Sequence, residues 1–194
     1  GAARTWIAEN GSAWRDRYLA ALPRTNGARR VVDKQPLNFR CLGLIRLLFP
    51  DSPVIHARRT PLDVGFSIYR HRFRGDWPCA QDLAEIGHYY GVYRRIAALW
   101  ETLLPGSVHP VDHGALVRAP EERIRALLEY VGLPFERACL SPHRAERPLA
   151  TFSAVQVRRP MSTGFEGRSG PYGTRLRPLR DALVRAGVDP NGGG

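Results

Sequence analysis

Two side chains that could hold an anion, Arg59 and Ser67, stand eight residues apart in the segment PVIHARRTPLDVGFSIYRHRF. An arginine binds a phosphate or a carboxylate through paired, charge-assisted hydrogen bonds, and a serine hydroxyl adds one more donor. If Arg59 ends a strand and Ser67 lies two turns into the next helix, both can contact the same anion. The pattern therefore predicts a phosphate- or carboxylate-binding site. The alternative is that Arg59 caps a loop and Ser67 faces water.

Lys34 is the single lysine among the 29 basic residues of the chain. An ammonium is a compact point charge on a flexible stem, so a lysine and an arginine are not interchangeable. A chain that carries arginine at nearly every basic position and keeps one lysine suggests a site that needs such a point charge. The alternative is chance, with Lys34 as a surface charge on a loop.

The residues around Arg59 have the pattern of a strand followed by a helix. Val54, Ile55 and Ala57 form a short apolar run after the breaker Asp-Ser-Pro, which suits a buried strand. Thr60 can cap a helix that begins at Pro61, and Asp63 then meets the helix dipole in the first turn. The predicted packing face consists of Leu62, Phe66, Tyr69 and Phe73, and the predicted polar face of Asp63, Ser67 and Arg70 or His71.

The other predicted elements alternate between helices and strands, which indicates an α/β protein. The order strand, helix, strand, helix implies a parallel sheet with right-handed crossovers and ligands at the carboxyl ends of the strands. Lys34 and Arg59 both follow such ends. The predicted elements are two short helices over 4–22 with a break at 10–12, a strand over 30–33, helices over 37–49 and 80–104, a strand over 107–112, helices over 120–130 and 135–140, a loop over 141–172 and a helix over 176–186.

Composition excludes several classes of protein. The chain has 194 residues, 43% of them hydrophobic, which is enough for one domain with a sizeable core. The formal net charge of +11 is spread over scattered arginines, which resembles a compositional bias more than a binding stripe and does not favour a nucleic-acid partner. Three widely separated cysteines lack metal-ligand spacing and suit a reducing compartment, and no apolar run is long enough for a membrane span. We expect a cytoplasmic protein without a metal. The chain does not begin with Met, so either processing removed that residue or the chain is part of a longer protein.

Five stretches together resemble one enzyme family. They are VVDKQPLNFRCLGLIRLLFP, IHARRTPLDVGFSIYRHRF, DLAEIGHYYGVYRR, LLEYVGLPFERACL and TFSAVQVRRPM. The chain resembles the sulfotransferases that use 3′-phosphoadenosine 5′-phosphosulfate (PAPS), and it is most similar to the bacterial enzymes linked to tetratricopeptide repeats and to the protein-tyrosine sulfotransferases. The resemblance implies PAPS as co-substrate and a P-loop nucleoside-triphosphatase-like α/β fold, with three layers around a central parallel sheet. It implies that residues 29–186 are the C-terminal part of the domain, after a helical segment over 1–28 and before a flexible tail over 187–194.

The resemblance also implies roles for individual residues. Arg59 and Ser67 match the pair that holds the 3′-phosphate of the nucleotide. Lys34 matches the lysine that contacts the transferring sulfuryl group. Ser153 matches a serine near the sulfate, and Arg168 matches a cation near the nucleotide phosphates.

The chain departs from the family pattern in several places. The first strand and the loop that cradles the 5′-phosphosulfate are missing before Arg29, and so is the residue that serves as general base. His113 stands where relatives have an aromatic residue beside the nucleotide, and the tryptophan that usually follows the closing arginine is absent. We therefore expect a portion of a sulfotransferase that is inactive or weakly active alone, acting in the whole protein on a hydroxyl or amine of a small molecule or peptide.

Two other functions stay open on the sequence alone. One is a P-loop-like nucleotide kinase, which needs a glycine-rich loop with a lysine and would prefer ATP with magnesium. The other is a basic nucleic-acid-binding module, whose arginines should cluster on one face and whose binding should fall steeply with salt.

Overall fold

The structure, a computed structural model, describes residues 2–22, 27–71, 77–145 and 160–192. The chain divides into two compact units, one of Gly1–Ser52 with Ile96–Pro105 and the other of Pro53–Arg95 with Gly106–Gly194. The domain boundaries expected after residues 28 and 186 stay predictions. The helices and strands are α1 (Ala2–Ala21), α2 (Leu42–Leu48), β1 (Val54–Arg58), α3 (Pro61–His71), α4 (Leu83–Leu103), β2 (Val108–Asp112), α5 (His113–Arg118), α6 (Pro120–Tyr130) and α7 (Arg177–Arg185).

The first unit begins with one long helix where the sequence predicts two short ones. Helix α1 continues through residues 10–12, so the predicted break there is wrong. The side-chain amide of Asn10 donates to the backbone carbonyl of Trp6 at 2.9 Å, one turn back, so this polar group has a hydrogen-bond partner within the helix. Gly11 is buried against α2, where an added Cβ would lie 3.6 Å from Leu48. The asparagine and the glycine therefore serve the continuous helix and its packing.

The strand predicted over Arg30–Asp33 does not form, and this prediction is wrong. These residues are irregular, and Val31 and Val32, which were expected to be buried, are 47% and 83% exposed. A strand needs a neighbouring strand for its backbone hydrogen bonds, and the sheet within the described residues consists of β1 and β2. Asp33 instead accepts a hydrogen bond of 2.6 Å from the Tyr18 hydroxyl of α1. That bond raises the pKa of Tyr18 to about 12.

The second unit contains a parallel pair of strands, which confirms the predicted mixed α/β class and the parallel arrangement. Strands β1 and β2 run in register from Val54 opposite Val108 to Arg58 opposite Asp112. The Tyr130 hydroxyl at the end of α6 lies 3.3 Å from the backbone of Val54 and 3.3 Å from the Ser107 carbonyl. One phenol therefore fixes α6 to the start of both strands.

The core of the second unit lies where α3, α4 and α7 meet. Its buried members are Leu62, Phe66, Ile86, Tyr90, Leu176, Leu179 and Leu183. The helices approach closely at two glycines. A Cβ on Gly65 would lie 2.7 Å from the Leu179 side chain, and one on Gly87 would lie 2.6 Å from Cβ of Ala182. The contact of Gly65 with Leu179 sets the position of α3, the helix that carries Ser67, against α7.

The remaining predictions agree with the structure in kind. The helices predicted over 80–104, 120–130 and 176–186 form as α4, α6 and α7, and the strand predicted over 107–112 forms as β2. The short helix predicted over 135–140 is a 3-10 turn, Arg137–Leu140. The helix predicted over 37–49 begins as a 3-10 turn, Pro36–Cys41, before α2. Among the described residues, no helix is both long and apolar enough to cross a membrane.

Candidate anion-binding site

Arg59 and Ser67 lie on the connection from β1 into α3. Arg59 follows the last residue of β1, and Ser67 lies in the second turn of α3, so the predicted strand-to-helix unit is confirmed. The backbone N–H of Val64 donates to the Thr60 carbonyl at 3.0 Å, which closes the first turn of the helix. The Arg59 side chain is 22% exposed. The carboxyl end of a strand and the start of a helix thus present a guanidinium and a hydroxyl together.

The two residues line one cavity of about 170 Å³. Pockets that enclose drug-sized ligands hold about 300–1,000 Å³, so this cavity suits a smaller group such as a phosphate. The full lining consists of Arg59, Asp63, Phe66, Ser67, Arg70, His71 and Arg168. Three of the five residues that the sequence singles out, Arg59, Ser67 and Arg168, therefore line the same cavity, although Arg168 is about a hundred residues from the other two.

Asp63 connects the two parts of the cavity wall. Its side chain is 1% exposed, and its carboxylate accepts hydrogen bonds from the backbone N–H groups of Gly167 at 2.8 Å and Ser169 at 3.0 Å. Its Oδ2 also lies 3.7 Å from Nη2 of Arg59. The sequence pattern assigns Asp63 only to the helix dipole and a polar face, and so misses this contact. Asp63 and Ser67 are four residues apart and so lie on one side of α3, a spacing that could have placed Asp63 at the same cavity.

Arg168 reaches the cavity from a tight turn. Gly167 has φ of 67°, in the left-handed region that glycine adopts without strain. The Nε of Arg168 donates to the Gly164 carbonyl at 2.7 Å, so its guanidinium is held by its own turn while it borders the cavity. The turn and α3 together form a wall with a fixed cation on each side.

The cavity has an excess of positive charge. Three guanidinium groups and one carboxylate border it, together with an imidazole. The Arg70 guanidinium lies 5.5 Å from the centre of the Phe66 ring, a cation–π distance that keeps it at the rim. His71, which the sequence indicates as a surface residue, is exposed and also borders the cavity, and its Nδ1 lies 2.7 Å from the Ser67 carbonyl. An anion entering the cavity would meet this excess of cations.

An ion pair joins α5 to the turn that carries Arg168. Arg118 donates from Nη1 to both carboxylate oxygens of Glu166, at 2.8 and 3.0 Å. At the start of α5, burial and the nearby Arg59 guanidinium lower the pKa of His113 below its ordinary 6.5. Its Nδ1 is buried and has no hydrogen-bond partner in the described parts of the chain. The imidazole of His113 therefore lies in surroundings that disfavour its protonated form.

Two further residues are predicted for this site, Lys34 and Ser153. Lys34 is exposed in an irregular segment of the first unit, so it does not follow a strand, and this part of its prediction is wrong. Its contact with a transferring group stays a prediction. Ser153 lies in the stretch 146–159, outside the described residues.

Comparison with known proteins gives two matches. A family model described as "Sulfotransferase family" matches residues 3–137. An uncharacterized protein of Aquifex aeolicus (strain VF5) is 43% identical over 157 residues, which are 79% of this chain and 21% of that protein. The chain thus spans about a fifth of the length of the curated relative it matches. The family match includes Lys34, Arg59 and Ser67 and ends before Ser153 and Arg168.

Proposed function

We propose that this chain, which belongs to the sulfotransferase family, is the part of a PAPS-dependent sulfotransferase that holds the 3′-phosphate of the nucleotide. The acceptor would be a hydroxyl or amine of a small molecule or peptide. The single observation that carries the proposal is the cavity bordered by Arg59, Ser67 and Arg168. Its volume suits one phosphate group, and its walls supply the fixed cations and the hydroxyl that a dianion needs.

The chemistry of sulfuryl transfer favours such a site. As in phosphoryl transfer, charge spreads over the peripheral and bridging oxygens, so the protein contributes mainly by positioning and by fixed positive charge. A bond forms from the acceptor oxygen or nitrogen to sulfur while the bond from sulfur to the 5′-phosphate oxygen breaks, and 3′-phosphoadenosine 5′-phosphate (PAP) leaves. Lys34 would neutralise the leaving oxygen. The acceptor's proton goes to a base that the residues named here do not include.

The remaining parts of the proposal concern the whole protein. We place the chain in a P-loop-like three-layer α/β fold whose first strand and 5′-phosphosulfate loop lie outside the chain. Tetratricopeptide repeats would precede it in a cytoplasmic protein that needs no metal. These 194 residues alone should then bind PAP through its 3′-phosphate and turn over slowly or not at all.

Isothermal titration of PAP and of AMP, which lacks the 3′-phosphate, tests the phosphate assignment. The wild-type chain should bind PAP more tightly than AMP, and Arg59→Ala should remove most of that preference. Loss of a charge-assisted hydrogen-bond pair corresponds to an affinity loss on the order of tenfold or more. Arg185→Ala is the matched control, because it removes one exposed arginine at the end of α7 that is not among the residues lining the cavity.

Two results would count against the proposal. Equal affinity of wild type and Arg59→Ala for PAP would refute the phosphate assignment. Tighter binding of ATP with magnesium than of PAP would favour the kinase alternative instead.

A further inference from the structure

The Asp63 carboxylate is buried, and polar and charged groups around it compensate its negative charge. It is 1% exposed, and a buried carboxylate is costly unless donors surround it. It accepts hydrogen bonds from the N–H groups of Gly167 and Ser169, and the Arg59 guanidinium forms an ion pair with it at 3.7 Å. Asp63 also borders the cavity, so its charge faces any anion bound there. A carboxylate in the wall of an anion-binding site would repel the anion, so its presence there needs another explanation.

The two backbone hydrogen bonds of Asp63 enclose Arg168. One carboxylate oxygen holds the residue before Arg168 and the other holds the residue after it. The backbone of Arg168 is thereby fixed against α3, the helix that carries Ser67. The same carboxylate lies beside Arg59 at the start of that helix. A single side chain therefore joins the turn that carries Arg168 to the helix that carries Ser67.

We infer that Asp63 is a positioning residue for the 3′-phosphate of the nucleotide, holding Arg168 against the Arg59 and Ser67 side of the cavity. This inference rests on the proposed function. For Asp63→Asn, it predicts a change in PAP affinity opposite to the one that a direct electrostatic effect would cause. If the charge of Asp63 mattered only by repelling the phosphate, Asp63→Asn would tighten PAP binding, since it removes one negative charge. If Asp63 positions Arg168, the same change weakens PAP binding, because an amide nitrogen would face one of the two N–H donors.

The test is a double-mutant cycle measured by titration with PAP and AMP on the 194-residue chain. Asp63→Asn should lower PAP affinity on the order of tenfold and leave AMP affinity nearly unchanged. Arg168→Ala should cause a similar loss. In the Arg168→Ala background, Asp63→Asn should cause no further loss, because its effect acts through the missing arginine. Asp82→Asn is the control, since Asp82 also accepts two backbone hydrogen bonds, from Ala84 and Glu85, but lies outside the cavity wall.

A second variant covers the case in which Asp63→Asn does not fold. Ser169→Pro deletes one N–H donor and leaves the carboxylate in place, and the φ of Ser169, −71°, suits proline. It should also reduce the preference for PAP over AMP.

The outcomes separate the two proposals. An Asp63→Asn protein that binds PAP as tightly as wild type, or more tightly, would overturn the positioning role and leave the proposed function standing. An additive loss in the double variant would do the same. A wild-type chain that binds PAP and AMP equally would refute the phosphate assignment itself, and the role of Asp63 with it.

Discussion

The contact between α4 and α7 at Gly87 gives a stability prediction in which two effects compete. In Gly87→Ala, the new methyl group would lie 2.6 Å from Cβ of Ala182 and 3.0 Å from the backbone oxygen of Leu179, whereas ordinary van der Waals contact begins at 3.4 Å. Alanine gains up to about 1 kcal/mol over glycine in a helix interior. Overpacking of a close contact costs about 1–3 kcal/mol. Because the atoms it meets are a short side chain and a backbone oxygen, they cannot rotate away, and the overpacking should dominate.

The net loss should be about 1–2 kcal/mol in the free energy of unfolding, which lowers Tm by about 2–8 °C for a chain of this size. Thermal and urea unfolding followed by circular dichroism measure it. Gly170→Ala is the control, because a Cβ there meets nothing within 4 Å, and its stability should equal or slightly exceed that of wild type. A Gly87→Ala protein at least as stable as wild type would show that the two helices are not packed as closely as the structure has them.

Three further predictions concern titration and the support of the cavity wall. His113 has a lowered pKa when folded, so below about pH 6.5 the unfolded chain takes up a proton that the folded chain does not, and the free energy of unfolding decreases as the pH is lowered. His113→Asn should make that decrease smaller in urea unfolding at a series of pH values. An equal pH dependence in wild type and variant would contradict this prediction. Tyr18 should ionise near pH 12, and Asp33→Ala should move its pKa back toward 10.0 in an ultraviolet titration, unless the hydrogen bond is absent in solution. Arg118→Ala should weaken PAP binding less than about fivefold, because an exposed ion pair such as that with Glu166 contributes about 0–1 kcal/mol. A larger loss of PAP affinity would mean that this ion pair holds the turn that carries Arg168.

The sequence predicts well where the cause of a structure is local. The unit from β1 to α3 follows from an apolar run, a breaker and a proline at the first helical position, all within twenty residues. The strand over 30–33 fails because two valines favour an extended chain but cannot supply a partner strand. The break predicted in α1 fails because Asn10 and Gly11 are judged as helix breakers, whereas their contacts inside the fold decide otherwise.

The cavity depends on a pairing that no local pattern contains. Asp63 and Gly167 are 104 residues apart, and their hydrogen bond is what brings Arg168 to the helix that carries Ser67. The match to the family model ends at residue 137, so it reaches one side of the cavity and not the other. The resemblance of the residues around Arg168 indicates a phosphate-binding role, and the hydrogen bonds that Asp63 accepts on either side of Arg168 explain physically why this turn lies against α3. Three guanidinium groups border one small cavity, and the buried Asp63 holds the turn that carries one of them. The sign of the Asp63→Asn effect on PAP binding therefore decides between positioning of that arginine and simple repulsion of the phosphate.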